Sequence, residues 1–199
     1  ALVGDGHITA IGRRLRALPL PPRLARMILA AAEQGQAEPA AMIAAVLVER
    51  GIGGNDSDLA VRLEAFARER SRRAQDMRRL AQGWANSAAA SGGAPNQKLH
   101  TAMSPAAILA WAFPDRIAKV RGAPIGQFLL ANGRAGSVDP ASHLARAPFL
   151  VVAEMQGRAA ATRILLAAQT DEEEVVTIAK DRIETRDEIV FDPASASVR

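Results

Sequence analysis

LPLPPRLARMIL, Leu18 to Leu29, runs from the end of one short helix through a turn closed by Pro19, Pro21 and Pro22 into a second helix. Proline fixes φ and lacks an N–H, so it stops the first helix and is tolerated in the opening turn of the next. Leu24, Met27, Ile28 and Ala31 then recur at helical spacing, which gives the second helix one apolar face. Two helices meeting at a set angle are the frame from which the flanking sequence is read outward.

Upstream, Thr9 is an N-cap for a helix with Ile11, Leu15 and Leu18 on one side and Arg13, Arg14 and Arg16 elsewhere. Downstream, the second helix runs to about Gln34 and is ended by Gly35. Pro39 suits the first turn of a third helix with Met42, Ile43, Val46 and Leu47 as its buried face and Gly51 as its end. Asp56-Ser57-Asp58 starts a further helical stretch that reaches about Asn86, with a break near Ser71. Its stripes are Leu59, Leu63 and Phe66, then Met77, Leu80 and Trp84. Between the stripes lie Arg68, Arg70, Arg72, Arg73, Arg78 and Arg79, offset by Glu69 and Asp76. That cluster reads either as a phosphate-contacting face or as a solvated helix surface with local ion pairs.

Ser87 to Gln97 is alanine, serine and glycine with one proline, the composition of a linker and of a domain boundary. Ser104-Pro105 caps another helix carrying Ile108, Leu109 and Trp111. Beyond Gly122 the period becomes two. Phe128–Gly136 reads as a strand entering a glycine turn, and Pro148–Gly157 and Ala161–Ala168 as two strands joined by a hairpin around Gln156-Gly157. The acidic run Asp171 to Glu174 suits a helix N-terminus, and Ile189 to Phe191 a last strand. The pattern predicts an α+β chain: a helical bundle over residues 18–90, a linker over 91–104, and over 105–199 a small β-barrel of the oligonucleotide-binding (OB) type. Periodicity alone also allows a sandwich.

Apolar residues make up 49% of the 199, alanine is abundant and tyrosine absent, so helices are expected to pack closely through small side chains. Cysteine is absent, which excludes disulfides and thiolate chemistry. No apolar run approaches the roughly 20 residues that cross a bilayer, and no signal sequence opens the chain, so a soluble, cytoplasmic protein without a membrane partner is expected. The abrupt start at Ala1, within a strand or wing, and the end just after Phe191 suggest an excised piece, truncated in its barrel domain. Charge is unevenly spread: residues 91–170 hold 8 Lys+Arg against 3 Asp+Glu, and residues 171–199 hold 4 against 9. A basic middle favours a polyanionic partner, although a solvated surface gives the same count.

His7, His100 and His143 have no partner spacing, and no HExxH, GxSxG or GxxxxGK[ST] occurs. Gly53-Gly54 and Gly92-Gly93 lack the strand–helix setting of a phosphate loop. No catalytic residue, metal ligand or cofactor site is expected, and no ATP hydrolysis by this chain. Binding remains. Arg116, Lys119, Arg121, Arg134, Arg146, Arg158 and Arg163 supply charge with few compensating acids, as a groove tracking a single strand requires. Trp111, Phe113, Phe128 and Phe149 lie in apolar runs and read as core, which points to sequence-independent contact with the phosphate backbone. Asp115 and Arg116 equally suit a turn cap and a buried pair.

Taken in order, these motifs resemble one family. GHITAIGRRLRALPLPPRLARMIL, Gly6 to Leu29, resembles the junction between winged-helix and ratchet domains of DEAH-type helicases. WAFPDRIAKVRG, FLLANGRAG and ARAPFLVVAEMQG are similar to the continuation into the OB domain in the bacterial HrpB-type branch. The resemblance implies that residues 1–17 end a winged-helix-like segment. It implies a parent that is an ATP-dependent RNA helicase, with ATP and Mg held by upstream motor domains. The partners it implies are those motor domains and single-stranded RNA or another nucleic acid, with the ratchet and OB domains walling one side of the strand's channel. By resemblance Arg116, Lys119, Arg121 and Arg134 contact the strand, and Leu18, Leu24, Met27 and Ile28 are structural. The acidic segment after Asp171 has no counterpart. The alternative is a scaffold or protein-interaction module without nucleic-acid affinity.

Overall fold

A computed structural model describes residues 6–91, 102–158, 162–183, 191–192 and 197–198. Helix α1 (Ala10–Arg16) is capped by Thr9, whose Oγ1 accepts from Gly12 N at 2.9 Å. Here the expected stripe is rotated: Ile11 is 59% exposed, and Gly12 takes the inward place with Leu15 partly and Leu18 fully packed. After the proline turn, α2 (Pro22–Glu33) buries Leu24, Met27, Ile28 and Ala31. Helix α3 (Ala37–Val48) starts before Pro39, which sits in its first turn, where a missing N–H breaks no helical bond.

Asp58 caps α4 (Leu59–Arg68), accepting from Ala60 N at 2.7 Å. The helix breaks across Glu69–Ser71, and α5 (Arg72–Ser91) follows. It continues through Ser87–Ser91, which the composition had marked as linker. Alanine is the strongest helix former, and Ala88 is fully buried, so packing favours helix there. The rest of that linker, from residue 92 to 101, lies outside the described residues, as does the expected strand at Ala1–Val3. Helix α6 (Pro105–Ala112), capped by Ser104, packs on both α2 and α3. Ala25, Ala31, Ala40, Ala44, Ala45, Ala81, Ala85 and Ala88 are all buried, so small side chains do bring these helices close.

The second half is a closed five-stranded barrel, which decides between barrel and sandwich. Its strands are β1 (Ile117–Val120), β2 (Gln127–Leu130), β3 (Ala135–Ser137), β4 (Phe149–Gln156) and β5 (Arg163–Thr170), in the order β1-β2-β3-β5-β4. The contacts of β3 with β5 are parallel and all others antiparallel. Strand β1 lies in the stretch after the Trp111 helix and β3 directly after the Gly133 turn, and neither is marked as a strand by its own pattern, whereas the equally short β2 is. Inward-facing Phe128, Leu130, Leu150, Val152, Ile164 and Ala167 fill the barrel. Val151, Ala153, Leu166 and Ala168 on the other face join the helical core with Ile108 and Leu109 of α6. Strand β4 is therefore buried on both faces, which is why FLVVA is continuous rather than alternating.

A strap ties the halves together. Ala167 N donates to Ser57 O at 2.9 Å, Ser57 Oγ lies 3.1 Å from Ser142 Oγ, and His143 Nε2 is 2.5 Å from Asp58 Oδ2. The Gly53-Gly54 loop just before it is a packing feature: at Gly53, with φ +71°, a Cβ would stand 2.1 Å from the Arg62 carbonyl oxygen. Beyond β5, Asp171 caps α7 (Glu172–Ala179) as the acidic run predicts, accepting from Glu174 N at 2.9 Å. Phe191–Asp192 pairs with Ser197–Val198; Ile189 and Val190 of the expected last strand lie outside the described residues. No helix among the described residues is long and apolar enough to cross a membrane.

Candidate nucleic-acid interface

Antiparallel pairing brings the start of β1, the β2–β3 turn and the β4–β5 hairpin to one end of the barrel, where Ala131 N donates to Ile117 O at 2.8 Å. Thr162 is the hub of that end. Its Oγ1 donates to Arg158 O at 2.9 Å and accepts from Arg134 Nη2 at 3.4 Å, and its carbonyl accepts from Ser137 N at 2.9 Å. Arg163 follows it in β5, opposite Ser137 and Gln156, with Nη2 4.0 Å from Asp139 Oδ2. Arg134, Arg158 and Arg163 are exposed around this hub.

Arg116 lies at the same end, close enough for Arg134 to disfavour its charge, but it is held inward. Its Nη1 donates to Ala153 O at 2.7 Å and its guanidinium stacks 4.6 Å from the centroid of Phe113. Burial lowers its pKa, partly offset by Asp115. Asp115 itself pairs with Arg23 of α2, at 2.7 Å, rather than with Arg116 by direct contact. Lys119 stands on the outer face of β1 with Nζ 5.6 Å from the ring centroid of Phe149, opposite the exposed Leu129. Arg121 leaves the other end of β1, and Arg146 ends a 3₁₀ turn, His143–Arg146. The structure thus gathers Arg116, Arg134, Arg158 and Arg163, and leaves Lys119 on the barrel's flank and Arg121 at its far end.

The arginines of α4 and α5 are mostly engaged. Arg68 pairs with Glu64, Arg73 with Glu49 and Arg79 with Asp76, while Arg78 donates to the carbonyls of Phe66 and Glu69.

Sequence reasoning passed over Arg50 and Arg62. Both line a cleft of about 780 Å³ between the end of α3 and strand β4, with Asn55, Arg116, Glu154 and Gln156. A signal was present for Arg62, which shares the helical face of Leu59, Leu63 and Phe66. It is 7% exposed; Nη2 donates to Ile52 O at 3.1 Å and Val46 O at 3.4 Å, and Nε is enclosed without an acceptor.

Residues 21–89 match the family model described as helicase associated domain (HA2), ratchet-like. Over this segment the chain is similar to the HA2 family. Over its full length the chain is 35% identical to the ATP-dependent RNA helicase HrpB of Escherichia coli (strain K12), of which it spans 23%. Two solved structures agree. The crystal structure of the E. coli DExH-box NTPase HrpB matches with a TM-score of 0.76 at 32% identity, and that of the E. coli DEAH/RHA helicase HrpB with 0.71 at 30%. Each match covers 100% of this chain and 23% of the other. The HA2 segment and the barrel that follows it thus correspond together to the C-terminal part of an HrpB-type helicase, as the ordered motifs imply.

Proposed function

We propose that this HA2–barrel region guides a single strand of RNA along one wall of a helicase, while ATP and Mg are bound and used by motor domains elsewhere in the parent. The observation that carries this reading is the convergence of Arg134, Arg158 and Arg163 around Thr162 at one barrel end. Arg134 in the β2–β3 turn, Arg158 in the β4–β5 hairpin and Arg163 at the start of β5 put exposed positive charge at one barrel end, which is what contact with successive phosphates needs. Arg116 contributes long-range charge and positions the rim through Ala153, and Lys119 and Arg121 extend the basic surface along β1. The motor domains are the second partner in this reading, and the chain acts with them in the cytoplasm.

Fluorescence anisotropy of a labelled single-stranded RNA at two salt concentrations, with duplex as control, tests it. Single-strand-preferring affinity should fall with salt by roughly 0.7 log units per contacted phosphate for each tenfold rise. Combining Arg134→Glu with Arg163→Glu should weaken binding by about tenfold and flatten that slope. Unchanged binding in a folded double variant would overturn the site. A second reading, a protein-docking module, is favoured by the exposed apolar side chains Ile11, Leu80, Ile125 and Leu129. Absence of RNA binding at low salt would leave that reading in place.

A further inference from the structure

The charges that the rim leaves out converge elsewhere. Arg50 is exposed at the end of α3, and its neighbouring carboxylate is already taken: Glu49 Oε1 accepts from Arg73 Nε at 2.9 Å, and Arg73 also donates to the Arg50 carbonyl at 2.6 Å. Arg50 itself has no side-chain acceptor among the described residues. In the same cleft, Arg62 spends only Nη2 on protein acceptors. Glu154 is the one carboxylate lining the cleft, against Arg50, Arg62 and Arg116, so the lining carries a net +2. Glu154, and Asp56 from outside the lining, act on Arg62 through charge alone, without a hydrogen bond to it among the described residues. A guanidinium enclosed this deeply is normally satisfied by a carboxylate; here most of its donors have none.

The surroundings suit a phosphate ester. Asn55 and Gln156 offer amide donors, and Met155 and Leu165 form an apolar wall. Leu47, Ala153 and Glu154 also border an adjoining hollow of about 460 Å³, whose other sides include Pro21, Leu24 and Phe113. Both volumes fall in the range of about 300–1,000 Å³ usual for small-ligand pockets. We propose that the groove along the seam between helical core and barrel is an anion subsite that seats one phosphate of the guided strand between Arg50 and Arg62. The attached nucleoside lies toward the apolar hollow beside Phe113. The inference rests on the strand-guiding reading, and its test separates the two.

The test uses the 199-residue chain and follows its arginine Nε–Hε resonances by NMR at low salt. The two titrants are uridine 5′-monophosphate and an oligouridylate of about ten nucleotides. The expected result is a shift of Arg50 and Arg62 with the oligonucleotide. In parallel anisotropy measurements, Arg50→Ala should weaken binding of the oligonucleotide by roughly tenfold, and Glu154→Gln should tighten it by removing the opposing charge. If only Arg134, Arg158 and Arg163 shift and Arg50→Ala binds as before, the subsite is overturned and the rim reading stands. If the monophosphate alone moves Arg50 and Arg62, a free nucleotide is the source of the phosphate and the assignment to the strand is overturned. If neither titrant moves any arginine, both readings fall.

Discussion

Along α4 and α5, Arg68, Arg73 and Arg79 end on carboxylates and Arg78 on two backbone carbonyls, whereas at the barrel end Arg134 and Arg158 meet no carboxylate among the described residues. The two regions are similarly rich in arginine. Helical spacing puts Glu64 and Asp76 one turn from Arg68 and Arg79, so helix charges are neutralised by their own neighbours. The turn that carries Arg134 and the hairpin that carries Arg158 bring no such carboxylate to them among the described residues, and Arg163 has only Asp139 at 4.0 Å, so most of this charge stays available for a partner. Net charge along a sequence therefore overstates the helical half as a polyanion surface. Arg62 belongs to neither group, being buried with most donors unused.

Four variants test that contrast. The largest effect is expected for Arg62→Ala, which deprives the Val46 and Ile52 carbonyls of a charged donor and opens a void beneath the cleft. Urea unfolding should show a loss of about 2–3 kcal/mol. The rim pair Arg134→Glu with Arg163→Glu comes next, with about tenfold in RNA affinity, about 1.4 kcal/mol, and no loss of melting temperature. Replacing Arg68, Arg73 and Arg79 by alanine should leave RNA affinity unchanged and cost less than about 0.5 kcal/mol each. A drop in affinity as large as the rim pair's would mean that the helical arginines contact the strand as well.

The smallest effect concerns pH. Partial burial pushes the Asp115 pKa up, but the hydrogen bond and charge of Arg23, with the charge of Arg116, more than reverse this and hold it below the usual carboxylate range. Its contribution is complete above the ordinary carboxylate pKa and is lost as pH falls through the lower folded value. Asp115→Asn should therefore flatten the acid limb of the stability profile slightly and leave neutral-pH RNA binding as it was.

The helical half was legible because its signals are local. Thr9, Asp58, Ser104 and Asp171 cap helices where expected, and the break near Ser71 lies at Glu69–Ser71. The end of α5 was misplaced because alanine runs suit linker and buried helix alike. At the barrel, β2, β4 and β5 showed themselves and β1 and β3 did not. Of the basic residues read from the sequence, Arg134, Arg158 and Arg163 converge, whereas Arg116 turns inward to Ala153.

The sequence was sufficient for most helix starts, the α+β order and the resemblance to HrpB-type helicases, because caps, prolines, apolar periods and ordered motifs act over a few residues. Tertiary structure alone decided that the strands close into a barrel, and that β4 is covered on both faces. It also brought Asp58 to His143 and set Arg50, Arg62 and Arg116 around one cleft. Those outcomes depend on which distant surfaces meet, and a side chain's charge is available or spent according to neighbours that chain order does not name.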